Sequence, residues 1–167
     1  VFEEPYLGSM FEKTSYDQIY DEHIYMFSAS AIQKIFNLYD FRLTNIEFQT
    51  THGGSMRYTI ERKHKNEKSI NLINILEFEK KEKIDSIERC FKFKKECESS
   101  RIRIKSALEK FKYEKKSIAG YAATSKSTTI LNYCDIDNKM IDFICDTTPE
   151  KIGKFTPGTH IPVVDMN

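Results

Sequence analysis

This sequence carries no strong bias, and each missing feature closes off a class of function. Lys and Arg number 26 against 25 for Asp and Glu, so no net field draws in nucleic acid or an anionic membrane, and any bound anion must be held by a local arrangement. The four cysteines (Cys90, Cys97, Cys134, Cys145) include no C-x-x-C pair, and no secretory leader is legible. They are expected to be reduced thiols in a cytoplasmic protein, and a zinc site built from them is not expected. No apolar run approaches the roughly 18 residues of a bilayer span, which predicts a soluble chain with no membrane partner. The G-x-G-x-x-G spacing of a dinucleotide loop is missing as well, which disfavours an NAD-dependent reductase.

What is present suffices for a core: hydrophobic residues make up 40% and aromatics 13% of the chain, too many for disorder. At 167 residues it has the length of one ordinary domain or of two small, incomplete ones. Residues 1–5 read as the tail of a strand stopped by Pro5, and residues 161–165 as a strand just beginning. The chain is therefore expected to be a piece of a longer protein.

Between these ends the pattern is that of an α/β protein. Leu7, Met10 and Phe11 mark a short amphipathic turn. Ser28 is a good N-cap, and Ile32, Ile35, Phe36 and Tyr39 recur at helical spacing, which predicts a helix over 29–39. Phe41, Leu43, Ile46 and Phe48 give an imperfectly alternating strand, residues 50–55 a turn, and Met56, Tyr58 and Ile60 a second strand with clear alternation. Residues 62–68 form a charged linker and the expected internal boundary. Ile70, Leu72, Ile73 and Leu76 place a stripe on a first helix. A longer helix is expected over 84–113, its stripe broken by Lys94 and Arg101, packing on a globular partner with its charges solvated. Residues 117–121 read as a buried strand, Ile130, Leu131, Tyr133 and Cys134 as a helix, and 141–146 as the next strand, together a Rossmann-like half unit.

Three stretches carry candidate chemistry. Tyr20, Asp21, Glu22 and His23 gather a phenol, two carboxylates and an imidazole, with Tyr16, Tyr25 and Phe27 near enough to lower the local dielectric. An imidazole oriented by a carboxylate is a fit acid/base pair at neutral pH; solvated loop carboxylates beside a surface or core-edge histidine are the alternative. In the turn, Gly53 and Gly54 let the backbone approach a ligand that His52, Ser55 and Arg57 would meet; a plain hairpin in which glycine only supplies positive φ is the alternative. Finally, the small and hydroxylated run 122–129 between a strand and a helix N-terminus gathers N–H groups, hydroxyls and Lys126 into an anion site. Asp146 ends the next strand, either beside a ribose or as a turn former, and the Pro-Gly loop 154–162 stands where it would cover the crevice.

Five motifs then stand in one order: Tyr16-Asp-Gln-Ile-Tyr-Asp-Glu-His23, Thr51-His-Gly-Gly-Ser-Met-Arg57, Gly120-Tyr-Ala-Ala-Thr-Ser-Lys126, Leu131-Asn-Tyr-Cys134 and Thr156-Pro-Gly-Thr-His-Ile-Pro162. Together they resemble the S-adenosyl-L-methionine (SAM)-dependent sugar-nucleotide C-methyltransferase family. The resemblance implies that residues 1–62 are the C-terminal part of a class I methyltransferase domain, at the edge of its Rossmann sheet. Residues 69–167 would then be an incomplete C-terminal Rossmann-like domain reached through a long-helix connection. It implies a SAM site mostly upstream of this chain, zinc only in an N-terminal domain not present here, and no metal held by these residues. The substrate it implies is a nucleoside-diphosphate keto-deoxysugar. His23 resembles the base that removes the proton next to the ketone, with Tyr20 and Glu22 holding the substrate. Substrate contacts are expected from His52, Ser55, Arg57, Tyr121, Ser125, Lys126, Thr128, Asn132, Asp146 and His160. The resemblance implies His in many relatives where Asp21 stands, so no role is carried over to that position; it implies glycine in relatives at Ala122 and Ser127, so an altered loop shape with phosphate binding intact is expected. The fragment alone, without the SAM loop, is expected to be inactive; a non-catalytic sugar-nucleotide-binding module is the alternative function.

Overall fold

The computed structural model describes residues 1–62 and 68–166. The fold is α/β, with two three-stranded sheets. The chain folds into two compact units: residues 1–18 with 23–94, and residues 19–22 with 95–167. The charged linker falls mostly on 63–67, outside the described residues. The unit division comes instead inside a long helix, so the helix that follows the linker belongs to the first unit.

The first unit is built on an antiparallel sheet in the order β1 (Phe2–Pro5), β3 (Ser55–Arg62), β2 (Phe41–Gln49). Phe2 and Glu4 lie opposite Tyr58 and Met56, so these four share the face that carries the core. A register shift between Leu43 and Asn45 in β2 accounts for the imperfect alternation read there. Leu43, Ile46, Met56 and Tyr58 are packed against Ala29 and Ile32 of α2 (Ala29–Asn37) and Leu72 and Ile75 of α3 (Ile70–Glu82).

Helix α2 starts at Ser28, whose Oγ accepts from Ala31 N at 3.1 Å. Its first two N–H groups donate to Glu79 of α3, Ala29 at 2.7 Å and Ser30 at 2.8 Å. The Tyr6 hydroxyl donates to the same carboxylate at 3.0 Å. A buried acid, 2% exposed, thus meets three donors, two of them the orphan amides of a helix start. The stripe read on α3 is displaced: Leu72, Ile75 and Glu79 are buried, whereas Ile70 is exposed. Sequence spacing could not foresee that the stripe continues into a carboxylate. The amphipathic turn is a helix, α1 (Leu7–Lys13), with Met10 and Phe11 buried.

Helix α4 (Ile87–Tyr113) is shared by both units. In the first, Phe93 packs on Phe11 with ring centroids 5.0 Å apart, and Arg89 lies over the same ring. Of the broken stripe, Cys97 is buried and Ile87 and Cys90 are exposed.

The second unit holds a parallel sheet, β4 (Ala119–Tyr121), β5 (Phe143–Asp146) and β6 (Val163–Asp165), in that order. Helix α5 (Ser125–Tyr133) connects β4 to β5. Strand β4 is not the buried strand expected from its apolar residues, because it is a sheet edge and Tyr121 is 74% exposed. Helix α5 begins five residues before Ile130, because Thr124 and Ser127 form a reciprocal capping box: Ser127 N donates to Thr124 Oγ1 at 3.1 Å and Thr124 N to Ser127 Oγ at 2.8 Å. No helix among the described residues is long and apolar enough to cross a membrane.

Candidate functional site

The first group of candidate residues gathers at one end of the first-unit sheet, where β1 finishes and β2 turns into β3. His23 lies in the irregular segment ahead of α2. Its Nδ1 is 4.0 Å from Glu4 Oε2, and its ring centroid is 6.3 Å from that of His52. The imidazole is largely covered, with its side chain 13% exposed. Its neighbours Ile24 and Tyr25 are exposed. His52 is held at φ 51°, in the left-handed region, and its carbonyl accepts from the buried Gln18 side chain. Tyr20 and Glu22 belong to the other compact unit, where Ile19 O accepts from Thr129 Oγ1 at 3.1 Å. Glu22 is exposed and Tyr20 half-buried.

The rest of the hairpin spends its polar groups on itself. Ser55 is buried, and its hydroxyl donates to Thr51 O at 3.2 Å. Arg57 bridges Glu3 on one side at 3.1 Å and Glu47 on the other at 3.5 Å, a cross-strand triplet. Hydrogen bonds from Thr51 and Arg57 hold the Glu3 carboxyl below its ordinary range.

The second group lies in the second unit, around a crevice of about 390 Å³ lined by Thr124, Ser125, Thr128, Lys151, Lys154 and Phe155, among others. The start of α5 faces it from one side and the Pro-Gly loop from the other, as the sequence led one to expect. Asp146 ends β5 and is 5% exposed. Its carboxylate accepts from Ala123 N and Thr148 N, each at 2.8 Å, and from Lys151 Nζ at 3.2 Å. The Thr148 side chain first, then these amides and the lysine, hold its carboxyl well below the usual range. These bonds fasten the connections after β4 and β5. Asn132 does similar work on the loop, donating to Pro157 O at 3.0 Å and to Thr128 O at 2.8 Å. Gly158, at φ 77°, passes so close to Asn132 that a Cβ there would collide with its Oδ1.

Of the predicted contacts, Ser125 and Thr128 therefore line this crevice, while Asp146 and Asn132 brace it. Lys126 is on the first turn of α5 beside it, and Tyr121 and His160 are exposed. Lys151 was missed; its signal was a lysine five residues past the acid that closes β5. Glu4 was missed too, and its signal was a charge in the apolar phase of β1, between Phe2 and Tyr6.

Fold and site together define an α/β chain with a histidine–carboxylate pair in one unit and, in the other, a crevice at the start of α5 lined by hydroxyls, two lysines and Glu150. The family model for the C-methyltransferase C-terminal domain matches residues 50–167. The chain belongs to that family, and the resemblance read from its motifs holds. The match begins within the β2–β3 connection, ahead of the linker. The C-methyltransferase NovU of Streptomyces niveus is 27% identical over 162 residues, which cover 96% of this chain. The chain spans 39% of the length of that relative.

Proposed function

We propose that this chain is part of a SAM-dependent C-methyltransferase acting on a nucleoside-diphosphate keto-deoxysugar. The observation that carries this reading is the His23 imidazole beside a carboxylate and a second histidine, in a chain of the C-methyltransferase family. Further support comes from the first-unit sheet. Its last strand in sequence, β3, is inserted antiparallel between β1 and β2, as befits the antiparallel edge of a larger α/β sheet. Residues 1–62 are read as the end of the methyltransferase domain and 69–167 as the C-terminal domain, although the C-terminal family model reaches back to residue 50.

A proton next to a ketone is only weakly acidic, so its removal needs a placed base and stabilisation of the developing oxyanion. Nδ1 of His23 faces Glu4, so Nε2 takes the proton. The C–H bond breaks, its electron pair passes into the enolate, and Tyr20 and Glu22 hold the sugar. SAM would supply an electrophilic methyl group for the enolate carbon. The G-x-G-x-x-G spacing is missing from the sequence, so no SAM contact is derived from these residues. The imidazole is largely covered, with its side chain 13% exposed. Cover of this kind keeps water from a reactive carbanion.

In the second unit, the α5 N-terminus, Ser125, Thr128, Lys126 and Lys154 serve the diphosphate. That the crevice lies wholly within one unit favours a second reading, a non-catalytic sugar-nucleotide-binding module. Calorimetry separates the two: binding of nucleoside diphosphate without SAM by the intact protein fits the module. For the enzyme reading, His23→Ala in the intact protein binds sugar nucleotide almost normally and loses methyl transfer by a factor of roughly 10² to 10⁴. Normal turnover by that variant removes His23 from the role.

A further inference from the structure

The acid that sequence adjacency assigns to His23 is Glu22, yet the carboxylate found beside the imidazole comes from β1. Glu4 Oε2 is 4.0 Å from His23 Nδ1. Its position breaks the pattern of the strand. Phe2 and Glu4 point to the same face, opposite Tyr58 and Met56, and that face carries the core. An apolar side chain is the ordinary occupant there, since a charge on a core face costs free energy unless it has a partner. Glu3, its neighbour on the other face, is engaged by Arg57 and Thr51. Glu4 is only partly exposed, and the side chain it is placed to meet is His23. Its charge is also felt at the buried Tyr58 phenol, which burial first, then Glu79 and Glu4, push upward.

We propose that Glu4 is the positioning residue for His23: it orients the imidazole with Nδ1 inward and Nε2 toward the substrate, and offsets the positive charge that appears when Nε2 takes the proton. Only proton transfer is involved. The substrate C–H bond breaks, the proton passes to Nε2 and later leaves to solvent, and Glu4 stays ionised throughout. A carboxylate that holds an imidazole in one orientation and stabilises its imidazolium acts in this manner in other histidine-dependent enzymes. The inference rests on His23 being the base.

The test uses the intact protein and a nucleoside-diphosphate keto-deoxysugar that it methylates. Exchange of the hydrogen next to the ketone is followed in D₂O without methyl donor, alongside kcat and KM for methyl transfer. Glu4→Gln keeps the shape and removes the charge; Glu4→Asp keeps the charge and withdraws it by one methylene. The expected order of exchange rates is wild type, then Asp, then Gln, with Gln roughly tenfold to a hundredfold slower and KM nearly unchanged. A purely structural role would lower the unfolding midpoint and leave exchange per folded molecule intact. Exchange at the wild-type rate in both Glu4 variants, with none in His23→Ala, overturns the role of Glu4 and leaves the base in place. Undiminished exchange in His23→Ala fails the base itself. Where Glu4→Gln does not fold, wild type against Glu4→Asp decides alone.

Discussion

The hairpin of the first unit and the crevice of the second hold similar side chains and employ them in opposite ways. In the hairpin, Ser55 gives its hydroxyl to Thr51 O, and Arg57 is bracketed by Glu3 and Glu47. Around the crevice, Asp146 and Asn132 are engaged with backbone. Among the described residues, however, no hydrogen bond or ion pair engages the side chains of Lys126 and Lys154. A polar group already satisfied by its own fold has little left to offer a ligand, since the new bond only replaces an old one. Committed groups should therefore report on stability and uncommitted ones on binding.

The largest effect is expected at the most committed group. Glu79→Ala strands the Tyr6 hydroxyl and the amides of Ala29 and Ser30, two buried donors and one part-buried, a fully buried one costing about 1–3 kcal/mol when unmet. Because the helix start can relax toward water, a net loss of roughly 3 kcal/mol is expected, measured by urea unfolding. A change below about 0.5 kcal/mol would mean that the carboxylate does not hold α2.

The comparison is sharpened by pairing one lysine from the crevice with the arginine of the hairpin. Lys154→Ala should weaken binding of a nucleoside diphosphate to the intact protein about tenfold, the loss of one charge-assisted contact at roughly 1.4 kcal/mol. Arg57→Ala should change that affinity less than twofold. Equal losses in titration calorimetry would erase the distinction and return the hairpin to the binding surface.

How much of this was legible beforehand follows from whether the determinant was local. Ser28 capping α2 and the strand pair around the Gly53-Gly54 turn depend on residues within a few positions of one another, and both were read; the capping box that starts α5 at Thr124 is equally local but was not, since the helix was placed from Ile130. Glu4 beside His23 and Glu79 under α2 join residues 19 and 50 apart, where periodicity carries no information. The edge position of β4 is likewise a property of the sheet rather than of its residues. Ala122 is an instructive middle case. The family resemblance implied glycine at this position in relatives, and a changed loop shape was expected. The backbone nonetheless takes φ 68°, a glycine-like conformation, held by Ala122 N donating to Cys145 O at 2.8 Å and Ala123 N to Asp146. The surrounding bonds outweigh a local penalty of about 1–2 kcal/mol.

Those bonds also set the smallest effect, a shift in acid sensitivity. The Asp146 carboxyl is held below its ordinary range by the donors around it, Thr148 foremost, so the unfolded chain binds a proton there more readily than the folded one. The stabilisation is therefore complete above the unfolded value near ~3.9 and drains away as pH falls from there toward the lower folded value. Asp142 works in the same sense, through Lys112, Ser117 and the Ile118 amide. Asp146→Asn should start from a lower unfolding midpoint at neutral pH, since an amide cannot accept from both Ala123 N and Lys151 through its nitrogen. Below about pH 4 it should lose less than wild type, so the two midpoint curves converge without becoming flat, Asp142 supplying the remaining slope. Parallel curves would mean that Asp146 is engaged no more tightly in the folded chain than in the unfolded one, and the bracing of the crevice would have to come from Asn132 and the capping box instead.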